Sequence, residues 1–101
     1  MKQYILGIDQ GTTSSRAAVF DARGGMVSIG RQRIHQLYPQ PGWVEENPEE
    51  IWSSVLQSME QAVRLAAISA SDLTAIGVAN QRDTLLFWDR HTGEPMKLAM
   101  V

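Results

Sequence analysis

Apolar and polar positions fall in blocks along this chain. One apolar run spans Tyr4 to Ile8, a second spans Ala17 to Phe20, and a short polar stretch separates them. The pattern predicts a buried strand over residues 3–9 and a hairpin partner over 15–21. Asp21-Ala22-Arg23-Gly24-Gly25 is a turn signal, so Met26 to Ile34 predicts a third strand. There Val27, Ile29 and Arg31 share one parity, and Ser28 and Gly30 the other. Three consecutive strands with tight connections predict an antiparallel meander. Residues 35–46 hold Pro39, Pro41 and Gly42 around Tyr38 and Trp43. Prolines withhold backbone donors and favour extended backbone, which predicts an ordered crossover loop. Tyr38 and Trp43 are expected to staple that loop to the domain by burial.

The spacing then changes from two to three or four. Ile51, Trp52, Val55, Leu56, Met59, Val63 and Ala66 predict one apolar helical stripe, with Gln57, Ser58, Glu60, Gln61 and Arg64 mostly opposite. Asn47 is a good N-cap, Pro48 suits the first helical position, and Glu50 stands where a capping box needs it. Glu49 and Glu50 also suit the positive end of the helix dipole. Ser69 to Leu73 reads as the exit, with Ser71 as cap of a short turn. Ala75 to Ala79 is a continuous run of small apolar residues, the pattern of an interior parallel strand. Thr84 to Asp89 predicts one more strand before the turn Arg90 to Pro95, and the segment 98–101 is apolar. The order β-β-β-α-β-β predicts an α/β fold: a mixed sheet with a helix on one face. The two parallel strands would then end on the same side, and Asp9 to Ser14 and Asn80 to Asp83 would share one crevice.

Composition narrows the class. A chain of 101 residues makes one domain at most. A formal charge of -2 gives no general attraction to nucleic acid or to an anionic membrane. With no cysteine, disulfides and thiolate metal sites are excluded. No apolar run approaches the ~18 residues of a membrane span. Met1-Lys2-Gln3 leads straight toward the first strand without the core of a signal peptide, so a cytoplasmic location is the expectation. His35 and His91 stand alone in turn-like segments and are expected to face solvent.

The chemistry concentrates in Gly7-Ile8-Asp9-Gln10-Gly11-Thr12-Thr13-Ser14-Ser15-Arg16. Glycine, small hydroxyls, one carboxylate and one guanidinium meet there at a strand end. Turn amides and hydroxyls can point at phosphate oxygens, and Arg16 can pair with them in a fork. Asp9 is a hard oxygen ligand of the kind a magnesium nucleotide uses. The Walker loop is excluded because the segment has no lysine, and the dinucleotide fingerprint because Gly7 and Gly11 do not fit G-x-G-x-x-G and a strand follows. The reading is a phosphate-binding hairpin, and the alternative is an ordinary turn.

Longer stretches carry a resemblance. Asp9 to Arg16, Tyr38 to Glu45, Pro48 to Trp52 and Ile76 to Arg82 resemble, in order and over nearly the whole chain, the N-terminal end of the FGGY carbohydrate kinases. The Asp9-Gln10-Gly11-Thr12-Thr13 and Pro41-Gly42-Trp43-Val44-Glu45 stretches favour the glycerol kinase branch. The resemblance implies the ribonuclease H-like, actin-type ATPase fold, with residues 1–101 as an incomplete first lobe. It implies ATP-dependent phosphorylation of glycerol or a related polyol at a primary hydroxyl. It further implies that Thr12, Thr13, Ser14 and Arg16 contact ATP phosphates and that Asp9 organises Mg2+ through water. Arg82 and Asp83 would contact the polyol. The family norm beside the arginine is glutamate, and Asp83 is one methylene shorter. That contact is then lost, water-bridged or retargeted, and a tetritol or pentulose stands beside glycerol as substrate.

The resemblance also implies that the catalytic base and the second lobe lie beyond Val101, so the chain alone is expected to be inactive. No catalytic residue is expected within it. The full-length kinase is expected to be a homo-oligomer. The rival expectation is a non-catalytic binding module that uses a kinase-like lobe.

Overall fold

The computed structural model describes residues 3–101; Met1 and Lys2, expected to lead into the first strand, lie outside them. Seven elements organise the chain: β1 (Tyr4–Gln10), β2 (Ser14–Phe20), β3 (Met26–Arg33), β4 (Glu45–Glu46), α1 (Pro48–Ala66), β5 (Leu73–Asn80) and β6 (Ala99–Met100). The main sheet has the order β3-β2-β1-β5. β1, β2 and β3 form the antiparallel meander, and β5 runs parallel to β1 after the helical crossover. β4 and β6 make a separate two-stranded ladder that ties the crossover loop to the end of the chain.

The meander forms because each tight turn supplies its own backbone partners. Asp21 accepts from the Arg23 and Gly25 amides at 2.9 Å each, and Gly24 adopts φ 82°, which glycine tolerates without strain. Side chains then alternate across the sheet. Leu6, Ile8, Ala17 and Val19 face α1 and, with Ala62, form the core. Tyr4, Val55, Met59, Val63, Ala66, Ile68 and Leu73 close around them.

α1 begins as its sequence dictates. The Asn47 side chain accepts from the Glu49 amide at 3.0 Å, and Pro48 opens the first turn. Glu50 does not complete the expected capping box. Its carboxylate turns outward to the His35 backbone N–H and to His35 Nδ1, so His35 is exposed but not alone. The helix ends at Ala67, in the left-handed region at φ 56°, whose N–H bonds the Arg64 carbonyl.

The buried face of α1 keeps part of the stripe that hydrophobicity predicts, since Val55, Met59, Val63 and Ala66 pack against the core, but it is centred elsewhere. Ser54, Ser58 and Ala62 are buried, whereas Trp52 and Leu56 are exposed. The reason lies opposite. A Cβ built on Gly30 would stand 2.2 Å from the Ser58 carbonyl oxygen and 3.0 Å from the Ala62 nitrogen. Helix and strand therefore approach backbone to backbone, and only small side chains fit between them. Hydrogen bonds secure the seam. Ser15 Oγ meets Ser54 Oγ at 2.7 Å, Ser58 Oγ donates to the Ser15 carbonyl at 3.0 Å, and Ser28 Oγ donates to the Ala62 carbonyl at 2.6 Å. On β3 this buries the Ser28–Gly30 parity and exposes Val27, Ile29 and Arg31.

Four other expectations are corrected. Among the described residues β5 is parallel but has only β1 beside it, and Ile76 and Val78 are open because α1 packs mainly on β2 and β3. Thr84 to Asp89 is not a strand; it makes only the isolated bridges Leu85–Met100 and Trp88–Pro95, as the turn at 90–95 folds the segment back on itself. Tyr38 (68% exposed) and Trp43 (53% exposed) do not staple the loop; the β4–β6 ladder and the Leu37–Glu45 bridge hold it instead. The short turn after α1 is a 3-10 turn over Ala70–Asp72 capped by Ser69 rather than Ser71, with the Asp72 carboxylate accepting from the Ser69 amide at 2.9 Å.

The Gly30 seam yields a test. Gly30→Ala is expected to destabilise the protein by about 1–3 kcal/mol, because the Ser58 carbonyl belongs to the helix backbone and cannot move aside. A urea midpoint equal to that of the unmodified protein would contradict the packing described.

Candidate functional site

β1 and β5 run parallel, and Gln10 pairs with Asn80 at their carboxyl ends. The hairpin after β1 and the segment after β5 therefore leave the sheet side by side. Gly11, Thr12 and Thr13 make the hairpin. The Gly11 N–H donates to the Ser14 carbonyl at 2.9 Å, and a Cβ on Gly11 would come within 3.0 Å of that oxygen. The Thr13 carbonyl accepts from the Ile34 N–H at 2.9 Å, and the Thr12 carbonyl accepts from Gln36 Nε2 at 3.5 Å. The loop carbonyls are thus drawn inward. Thr13 is exposed, and Thr12 and Ser14 are half-buried.

Asp9 and Arg16 face each other across the β1–β2 ladder on the sheet face away from α1. Arg16 Nη2 donates to Asp9 Oδ2 at 2.6 Å, and both side chains are about half exposed. The pair closes one end of a groove of about 410 Å³ whose lining includes Gly7, Ala18, Gly77 and Ala79. Phe20 and Ile29 line it as well. The groove takes in Asp9 and Arg16 but not Thr12, Thr13, Ser14, Arg82 or Asp83. The expected crevice is therefore met in topology, as adjacent strand ends, and not as one enclosed cavity.

Arg82 and Asp83 are both exposed in the turn after β5. Asp83 is left-handed at φ 61°, a conformation that aspartate tolerates better than most residues. The residues on either side of this turn are tied into a network. Gln81 Nε2 donates to Gln10 Oε1 at 3.2 Å and to Glu46 Oε1 at 3.0 Å, and Thr84 Oγ1 donates to Gln81 Oε1 at 2.6 Å.

Glu46 is the residue that sequence reasoning missed. It is fully buried on β4, and its Oε2 has no hydrogen-bond partner among the described residues. Burial pushes its carboxyl above the ordinary range; the Gln81 and Gln36 amides oppose the shift and the Glu50 charge adds to it. No local signal marked it, since a two-residue strand has too little periodicity to reveal which side faces inward. For Mg2+, the described residues offer Asp9 rather than a cluster, as no group of three or more His, Asp or Glu is gathered among them. A lone half-exposed carboxylate suits an ion whose other ligands are water and nucleotide oxygens.

Antiparallel meander, helix and parallel strand, with a hydroxyl-rich hairpin at the strand ends, define the opening of a ribonuclease H-like, actin-type ATPase lobe. Residues 4–101 match the N-terminal domain of the FGGY family of carbohydrate kinases, and the chain belongs to that family. It is 56% identical over 99 residues to a glycerol kinase of Deinococcus radiodurans, covering 98% of this chain and 20% of that protein. It is 52% identical over 101 residues to a glycerol kinase of Sinorhizobium fredii, covering all of this chain and again 20% of that protein. Among solved structures, Plasmodium falciparum glycerol kinase with ADP superposes with a TM-score of 0.86 at 31% identity, over 99% of this chain and 20% of that one. A gluconate kinase from Lactobacillus acidophilus shares the fold, with a TM-score of 0.89 at 22% identity over all of this chain and 20% of that one. The chain thus spans about a fifth of the length of the relatives it matches.

The Glu46 environment sets a pH dependence. A carboxyl whose folded pKa is raised contributes stability below its unfolded value, near pH 4.3, and loses it as pH rises through the folded value. Glu46→Gln, which cannot ionise, is expected to melt higher than the unmodified protein at pH 7 to 8. The gap should close as the pH falls toward 4. A gap that stays constant or widens on acidification would show that Glu46 ionises without penalty.

Proposed function

We propose that this chain forms the front of the first lobe of an ATP-dependent polyol kinase, acting in the cytoplasm on glycerol or a closely related polyol. The observation that carries the reading is the side-by-side exit of the phosphate hairpin and the Arg82 turn from the parallel strands β1 and β5. Phosphoryl transfer needs the anionic donor and the hydroxyl acceptor held close and in line. Two neighbouring strand ends, one rich in hydroxyls and amides and one carrying a guanidinium, meet that need from one side.

In this reading Thr12, Thr13 and Ser14 hold the nucleotide phosphates. Arg16 exchanges its Asp9 partner for a phosphate oxygen. The freed Asp9 holds the water shell of Mg2+, an ion that when bound supplies neutralisation of phosphate charge. Arg82 donates hydrogen bonds to the polyol hydroxyls, and Asp83 accepts one. The acceptor oxygen of a primary hydroxyl bonds the γ-phosphorus as the bond to the ADP oxygen breaks, and the hydroxyl proton leaves to a base supplied from outside these residues. The names of the relatives support glycerol. The short carboxylate of Asp83 favours keeping tetritols and pentuloses in the test, because a hydroxyl-binding site discriminates sharply when a partner falls out of reach.

The experiment uses a protein of the relatives' length that begins with this chain. Coupled ATP consumption is measured with glycerol, erythritol and pentuloses; absence of turnover with all of them would overturn the proposal. Arg82→Ala is expected to raise the polyol KM by roughly ten- to a hundredfold, as loss of a charged hydrogen bond does. Thr13→Val is expected to raise the KM for magnesium ATP and leave that for the polyol near its original value.

A further inference from the structure

Gln81 spends its hydrogen-bonding groups on three side chains. Both protons of its Nε2 are used, one toward Gln10 Oε1 and one toward Glu46 Oε1, while its Oε1 accepts from Thr84. Gln10 is itself turned by a bond from its Nε2 to the Gly11 carbonyl at 2.8 Å, which leaves its Oε1 toward Gln81. A flipped Gln81 amide would set oxygen against oxygen at Gln10 and at an ionised Glu46. The side chain therefore has one orientation.

The consequence falls on the residues between its two ends. Arg82 and Asp83 lie between Gln81 and Thr84, and the Thr84–Gln81 bond closes the turn that carries them. The turn is left-handed at Asp83, a backbone state open to aspartate but uncommon outside glycine. Glu46 is the deepest member of the network, fully buried, and it comes from a different part of the chain. Packing alone does not account for it. A leucine of similar volume would fill the space with no polar atom to desolvate, whereas Glu46 keeps Oε2 buried without a partner.

We infer that Glu46 is a positioning residue for polyol recognition: it anchors Gln81, and through the Gln81–Thr84 clamp it sets where Arg82 and Asp83 present their donors and acceptor. The inference rests on the reading that Arg82 and Asp83 contact the substrate. It predicts that the effect of Glu46 is felt at the polyol and not at the nucleotide.

The test uses the same relatives'-length protein, with glycerol, erythritol and pentuloses as probes. Glu46→Ala is expected to raise the polyol KM about five- to tenfold and to leave the KM for magnesium ATP within about twofold, the scale of one or two lost hydrogen bonds. Glu46→Gln retains an oxygen acceptor for Gln81 and is expected to restore the polyol KM to within about twofold. Thr84→Val removes only the bond that closes the turn, at nearly constant volume, and is expected to raise the polyol KM in the same direction should Glu46→Ala fail to fold. A polyol KM unmoved in both Glu46→Ala and Thr84→Val would overturn the inference while leaving the kinase reading intact. Equal rises for polyol and nucleotide would overturn it too, since they would report general loosening. No turnover by the unmodified protein on any polyol would overturn the kinase reading, and this inference with it.

Discussion

The backbone-to-backbone approach between α1 at Ser58 and Gly30 on β3 orders the rest. Large apolar side chains would hold helix and sheet farther apart. Here small residues at Ser54, Ser58 and Ala62 bring them within hydrogen-bonding reach of Ser15 and Ser28. Such a contact is short-ranged and directional, so it sets the register of the helix against the sheet more narrowly than hydrophobic burial does. Because Ser15 is also the first inward residue after the hydroxyl-rich hairpin, the seam positions that hairpin directly.

The strand ends then divide their polar residues into two kinds. Asp9 and Arg16 are paired in solvent, where a salt bridge contributes little and is easily exchanged. Gln10, Glu46, Gln81 and Thr84 are paired in the interior or partly so, where each lost partner leaves an uncompensated group. The exposed pair can change partners at little cost, whereas the buried set is held in place. Adaptable and rigid polar groups thus stand side by side at Asp9 and Gln10, at the end of β1.

Much of this was legible in the chain and some was not, for physical reasons. The meander, the capped helix and the parallel β5 follow from periodicity, from Asn47-Pro48 and from turn chemistry, all of which act within a few residues. The hydroxyl-rich hairpin is legible because its glycine, hydroxyls and charges are adjacent in sequence. The buried face of α1 is only partly legible: Val55, Met59, Val63 and Ala66 follow hydrophobicity, but Trp52 and Leu56 do not, because a glycine on a distant strand selects serine. The 84–89 segment was read as a strand from its apolar residues, but a strand needs a continuous partner and only Leu85 and Trp88 found one. Glu46 was invisible because its burial depends on Gln81, far along the chain. The Glu50–His35 pair escaped notice for the same reason, and its bonds hold the Glu50 carboxyl below the usual carboxylate range.

β5 carries neither charge nor proline from Leu73 to Asn80, and among the described residues one of its edges is unpaired. Natural sheets usually guard such a border with lysine, proline or a bulge. Here the irregular step at Thr74 breaks the ladder near its start, and from Ala75 to Asn80 the outer amides and carbonyls stay open. A strand laid along that stretch, from elsewhere in the same polypeptide or from another chain, would lengthen the sheet without disturbing the helix side.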